Sequence, residues 1–100
     1  LDKFSPKEPT LKCLKFGAIG DAFHEIGQSA EALEYYNKAV SAANNEFLTP
    51  FFLKKAGMTA EMLEDYDKAY RAYKRIEDEF SDSREAGDIF KFTARVEGKR

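Results

Sequence analysis

Apolar residues recur every three or four positions along five stretches of the chain, the pattern of helices that bury one face. Few segments alternate apolar and polar residues as strands do. The pattern therefore predicts an all-α fold. The five predicted helices run from about Pro9 to Ile26, Ala30 to Asn44, Pro50 to Leu63, Asp65 to Phe80 and Asp82 to Glu97.

Polar residues mark the expected helix starts. Ser29 and Thr49 stand where a side-chain oxygen would cap the second and third helices, and Pro50 suits a first helical turn. Asp82, followed three residues later by Glu85, has the form of a capping box and predicts the start of the fifth helix. The apolar stripe predicted for that helix is Ala86, Ile89, Phe90, Thr93 and Val96.

The chain contains an internal repeat, in which a glycine, an alanine and a tyrosine recur 37 residues later. Small residues let two antiparallel helices approach closely, and the aromatic ring fills the space beside them. The repeat therefore predicts two helical hairpins that are built alike. The matching residues are Gly20, Ala32 and Tyr36 in the first unit and Gly57, Ala69 and Tyr73 in the second.

The order of residue types in the first unit resembles the tetratricopeptide repeat (TPR). Three positions of the second unit depart from that pattern: Ala60 replaces an aromatic residue, Glu64 the turn glycine and Ile76 an alanine. The period exceeds the family's 34 residues by three, and we expect the extra residues within 44–48. The resemblance extends over about 11–81 and is carried in the first unit by Phe16, Ile19, Gly20, Phe23, Gly27, Ala32, Tyr36 and Ala39.

This resemblance implies a fragment of an α-α solenoid, in which antiparallel helix-turn-helix repeats form a right-handed superhelix closed by a carboxy-terminal capping helix. The implied division is the end of a preceding repeat and a linker at 1–8, repeats at 9–44 and 45–81, the capping helix at 82–97 and a basic tail at 98–100.

The runs at 17–22 and 53–57 are also similar to the end of bacterial TPR proteins that are held to the envelope by one amino-terminal membrane helix. That similarity implies that the chain is the carboxy-terminal piece of a longer protein, anchored through a segment before Leu1. The single Cys13 is compatible with a reducing compartment and leaves an oxidising one open.

The resemblance also implies a concave groove, lined by the first helix of each hairpin, that takes a peptide or a partner protein. Methionine and exposed aromatic side chains adapt readily to such a partner. The alternative is that Phe51 and Met62 pack against a neighbouring helix. Gly17 and Asp21 also stand where the carboxylate-clamp variety of the repeat carries groups that grip a peptide carboxylate, so that mode is not expected. The groove residues, as we call them, are Leu14, Asp21, His24, Glu25, Phe51, Lys54, Met58, Glu61 and Met62, and Gly17 is expected beside them.

Composition argues against catalysis. One cysteine and one histidine allow neither an internal disulfide nor a multi-histidine metal site. Cys13 and His24 would stand about 16 Å apart along one helix, too far for a nucleophile and its base. Asp21, His24 and Glu25 share a helix face that could in principle hold a divalent ion, but we expect an exposed polar patch. No cofactor, metal or enzymatic activity is therefore expected.

The expected partner is a protein or peptide. The 100-residue chain has 16 basic and 18 acidic side chains and a net charge of -2, which argues against nucleic-acid binding. No apolar run approaches the ~18 residues that span a bilayer, so no membrane contact is expected from this segment. Repeats stack because one hairpin cannot bury its apolar face alone. The structural alternative is therefore a self-associating segment of an anchored protein, forming a weak homodimer through Leu11, Phe16, Ile19 and Phe23.

Overall fold

A computed structural model describes residues 8–43 and 45–100. That part of the chain contains no strand, which confirms the all-α prediction. A short 3-10 helix at Arg84–Gly87 precedes the last helix. Residues 1–7, where the end of a preceding repeat is predicted, and Asn44, the predicted end of the second helix, lie outside the described residues. The helices are α1 (Glu8–Glu25), α2 (Ser29–Ala42), α3 (Leu48–Met62), α4 (Tyr66–Glu79) and α5 (Ile89–Glu97).

Each helix packs mainly on its neighbours along the chain, so that α1 with α2 and α3 with α4 form two hairpins. Contacts of α2 with α3 and of α4 with α5 join the units into a slab with principal extents of 50 × 32 × 16 Å. One continuous core runs through both hairpins to α5, because each amphipathic helix buries its apolar stripe against the next. Its largest fully buried side chains include Tyr73, Ile76, Ile89, Val96 and Cys13.

The repeated glycines are points of close helix approach. A Cβ atom on Gly20 would lie 2.7 Å from Cδ1 of Tyr36, and one on Gly57 would lie 2.6 Å from Cε1 of Tyr73. This confirms the packing role predicted for the glycine and tyrosine of each unit. Gly17, which was expected beside the groove residues, is likewise buried, under the ring of Phe52.

The predicted caps of α2 and α3 are wrong. Ser29 is the first residue of α2, and the preceding Gln28 makes no side-chain capping bond. Thr49 lies inside the first turn of α3 and is buried. Asn45 caps that end instead, because its Oδ1 accepts the N–H groups of Phe47 at 2.9 Å and Leu48 at 2.7 Å.

The start of the fifth helix also differs from the prediction. Ser83, not Asp82, makes the capping bond, as its Oγ accepts the N–H of Ala86 at 3.2 Å at the start of the 3-10 helix. The α-helix begins only at Ile89. Phe90, predicted on the apolar stripe, is 63% exposed, because α5 turns Ile89, Thr93 and Val96 towards the core.

The turns inside the two hairpins have the same backbone conformation. Gly27 follows α1 with a φ of +80°, and Glu64 follows α3 with a φ of +63°. The N–H of Gln28 bonds to the carbonyl of Phe23 at 2.8 Å, and that of Asp65 bonds to the carbonyl of Ala60 at 2.9 Å. The second turn therefore keeps a left-handed residue although its glycine is replaced by glutamate.

Candidate functional site

Four of the groove residues are apolar and exposed. The exposed fractions are 46% for Leu14, 42% for Phe51, 46% for Met58 and 60% for Met62. Phe51, Met58 and Met62 follow helical steps of seven and four residues on α3, so they form one stripe about 16 Å long. These side chains remain accessible in the folded protein. Phe51 also packs edge-to-face on Phe52, with ring centroids 4.9 Å apart.

Asp21 joins three helices. The hydroxyl of Tyr36 on α2 donates a hydrogen bond to its Oδ1, and the ammonium group of Lys55 on α3 lies 2.9 Å from the same oxygen. Partial burial raises the pKa of Asp21, but the bonds from Tyr36 and Lys55 outweigh this and hold the pKa below its ordinary value. The carboxylate therefore stays ionised at neutral pH and neutralises Lys55.

Glu61 has the same role in the second unit. The hydroxyl of Tyr73 on α4 donates to its Oε1 at 2.9 Å. Arg95 on α5 donates two bonds, from Nε to Oε2 at 2.6 Å and from Nη2 to Oε1 at 2.8 Å. The bonds from Arg95, opposed by partial burial and aided by Tyr73, hold the pKa of Glu61 below its ordinary value.

The two networks share one plan: a tyrosine of the second helix, a carboxylate of the first helix and a cation of the following unit. In both, the cation lies 34 residues after the carboxylate. The tyrosines also face aromatic rings of the following helix, with centroids 6.5 Å apart for Tyr36 and Phe52 and 5.4 Å apart for Tyr73 and Phe92. By these contacts α5 packs on the second hairpin as α3, the first helix of the second hairpin, packs on the first hairpin.

Lys54 carries a third link between α3 and the segment that leads into α5. Its ammonium group lies 3.5 Å from Oδ1 of Asp88, again 34 residues away. It also lies 4.9 Å from the centroid of the Phe92 ring, within range of a cation-π contact. We call the pairs Asp21–Lys55, Lys54–Asp88 and Glu61–Arg95 the inter-unit ion pairs.

The remaining groove residues, His24 and Glu25, are exposed near the end of α1. Within the described residues no group of three or more His, Cys, Asp or Glu side chains is placed to hold a metal ion. Cys13 is fully buried on α1, and burial raises the pKa of its thiol.

Sequence reasoning did not identify Lys55, Tyr36, Tyr73 or Arg95 as parts of charged networks. The available signal was the spacing of opposite charges: Asp21 and Lys55, Lys54 and Asp88, and Glu61 and Arg95 are all 34 residues apart. That spacing equals the family's period.

The basic tail folds back on α4. The Nε atom of Arg100 lies 2.9 Å from Oδ1 of Asp67, and its guanidinium group lies 4.0 Å from the centroid of the Tyr70 ring. None of the helices in the described ranges combines the length and apolar character that a membrane crossing requires. The envelope anchor remains a prediction.

The chain is 39% identical over 61 residues to a TPR repeat-containing protein of Methanocaldococcus jannaschii. The match covers 61% of this chain and 10% of that protein. No protein-family model matches the chain, and no solved structure matches it either. The relative suggests a protein-interaction repeat module; the bacterial origin stays a prediction.

Proposed function

We propose that this tetratricopeptide repeat chain is a non-catalytic module that binds a peptide or a partner protein along its first helices. The 37-residue repeat, the two helical hairpins and the named relative support the family assignment. That family generally mediates protein-protein contacts and is generally non-catalytic. We retain the division into repeats at 9–44 and 45–81 and a closing helix within 82–97 as part of the proposal.

The observation that carries the proposal is the exposed stripe on α3. Phe51, Met58 and Met62 leave apolar surface in solvent although the helix buries its opposite side. Exposed apolar surface that recurs along one helix face is typical of docking sites. The tyrosine and ion-pair networks support the proposal further, because they hold the first helices at a defined spacing.

Affinity capture from cells that make this protein tests the proposal. We expect the double variant Phe51→Ala, Met58→Ala to lose partners that the wild-type chain retains. The matched control is Phe90→Ala, which removes an exposed phenylalanine of α5 outside the groove residues. Identical partners for the wild-type chain and the double variant would contradict the proposal. Circular dichroism must show that the wild-type chain, the double variant and the control have equal helicity.

Self-association is a second candidate, favoured by the exposure of α1. Leu11 is 56% exposed and Ile26 is 68% exposed, while Phe16 and Phe23 are half-buried against Tyr35 with centroids 6.2 and 5.6 Å away. We expect weak dimers at high concentration that Leu11→Ser diminishes. Light scattering that shows a strict monomer would contradict this candidate.

A further inference from the structure

The ionic state of the groove restricts what can bind there. Lys54, Lys55 and Arg95 each form an ion pair with a carboxylate of a neighbouring segment, namely Asp88, Asp21 and Glu61 in that order. The side chains of Lys54 and Lys55 are only 26% and 33% exposed. A ligand carboxylate would have to displace an existing partner of similar charge, so it would gain little net energy.

The apolar side chains of the stripe on α3, in contrast, are exposed to solvent. The two methionines are 46% and 60% exposed, and Leu14 on α1 is 46% exposed. The stripe from Phe51 to Met62 extends about 16 Å, the length of three helical turns. A helix that places apolar side chains at steps of three and four residues would match this length.

From charge and stripe length together we infer that the groove binds the apolar face of an amphipathic helix that contributes no carboxylate to the contact. This inference rests on the proposed function and specifies the chemistry of its partner. The inter-unit ion pairs position the first helices and supply no charge to the ligand. Methionine side chains on α3 adapt to the shape of the bound apolar face.

The chain offers a direct reporter, since Met58 and Met62 are its two methionines. Labelling their methyl groups with ¹³C produces two NMR signals, both from the stripe. The first probe is an amidated peptide of about 14 residues, four helical turns, with a leucine stripe and a neutral polar face of glutamine and serine. The second is a glycine-serine peptide of equal length that ends in two glutamates and a free carboxylate.

We expect the leucine peptide to shift both signals saturably and the acidic peptide to leave them unchanged. Phe51→Ser should weaken binding of the leucine peptide about tenfold, as loss of an aromatic anchor does, whereas Phe90→Ser should not. Met58→Gln provides a second variant in which the Met62 signal is still read. Circular dichroism confirms that each variant is folded.

The opposite outcomes are distinguishable. Saturable shifts of the methyl signals by the acidic peptide would overturn this inference and leave groove binding itself standing. Failure of both peptides to move the methyl signals would overturn the inference and the proposed groove function together. Binding of the leucine peptide that Phe51→Ser does not weaken would place the contact elsewhere and overturn the inference alone.

Discussion

The ammonium group of Lys55 on α3 lies 2.9 Å from the carboxylate of Asp21 on α1, 34 residues earlier in the chain. The same spacing separates Arg95 from Glu61 in the next unit. In each case the hydroxyl of a buried tyrosine of the intervening helix donates a hydrogen bond to the same carboxylate. Repeating contacts of this kind let one hairpin set the position of the next.

The two networks should differ in strength. Arg95 makes a bidentate pair with Glu61, whose side chain is 17% exposed, whereas Lys55 makes one bond to an Asp21 side chain that is 50% exposed. Double-mutant cycles in urea should therefore report a coupling of about 1–2 kcal/mol for Glu61→Gln with Arg95→Gln, because bidentate charge-assisted bonds to a largely buried carboxylate are the stronger class. The Asp21 and Lys55 pair should show about 0.5 kcal/mol.

The control for these cycles is the solvent-exposed pair of Glu34 and Lys38 on α2, which lies 3.6 Å apart. Its coupling should be at most about 0.3–0.5 kcal/mol, since an exposed ion pair four residues apart on one helix is screened by solvent. An Arg95 coupling no larger than that of the control would show that the network does not stabilise the junction of α4 and α5.

Acid should weaken the junctions between units. Because the pKa values of Asp21 and Glu61 are lowered in the folded protein, these groups stabilise it above their unfolded pKa values, about 4, and lose this effect as pH falls. The difference in unfolding free energy between wild type and Asp21→Asn, Glu61→Gln should be constant above about pH 5 and shrink towards pH 3. Urea unfolding across this range measures it. A difference that does not change with pH would contradict the lowered pKa values.

Gly57→Ala should destabilise the protein. Alanine improves helix propensity by about 1 kcal/mol, but its Cβ would lie 2.6 Å from the fully buried ring of Tyr73. Overpacking of this kind costs about 1–3 kcal/mol, so we expect a net loss of about 1 kcal/mol. Gly87→Ala is the control, because a Cβ there has no neighbour within 4 Å. Thermal unfolding compares them, and unchanged stability of Gly57→Ala would contradict the close approach.

Glu64→Gly should stabilise the protein. A non-glycine residue in the left-handed region costs about 1–2 kcal/mol, and glycine removes this cost. The gain is partly offset because glycine also has greater conformational freedom in the unfolded chain. We expect a gain of about 0.5–1 kcal/mol in the unfolding free energy.

The matched change is Gly27→Ala, which should lose about 1 kcal/mol, since its φ is +80° and a Cβ there meets no atom within 4 Å. The two variants therefore test backbone conformation without altered packing. Denaturant midpoints that move in the same direction for both would contradict this interpretation.

Sequence reasoning was accurate for features that depend on neighbours along the helix. Asp65 was predicted to begin α4, and its Oδ1 accepts the N–H of Lys68 at 3.2 Å. It was less accurate where several polar residues compete for one helix end. Thr49, Ser29 and Asp82 each have a suitable cap chemistry, but backbone geometry selected Asn45 for α3 and Ser83 for the 3-10 helix.

The groove stays a prediction. The exposure of Leu14, Met58 and Met62 agrees with the surface that the resemblance implied, and its use by a partner remains a proposal. The ion-pair partners of Lys54, Lys55 and Arg95 were not predicted, because a charged residue on a helix surface has many candidate partners in the sequence.

By itself the sequence determined the five helices and the two units, because apolar spacing and the recurring glycine, alanine and tyrosine are local and repeated signals. Only the tertiary structure decided that Gly17 lies beneath Phe52, that Phe90 faces solvent and that Arg95 binds Glu61. The physical reason is that these contacts depend on how far and at what angle one hairpin stacks on the next. That geometry follows from the packed volumes of many residues and not from any single spacing.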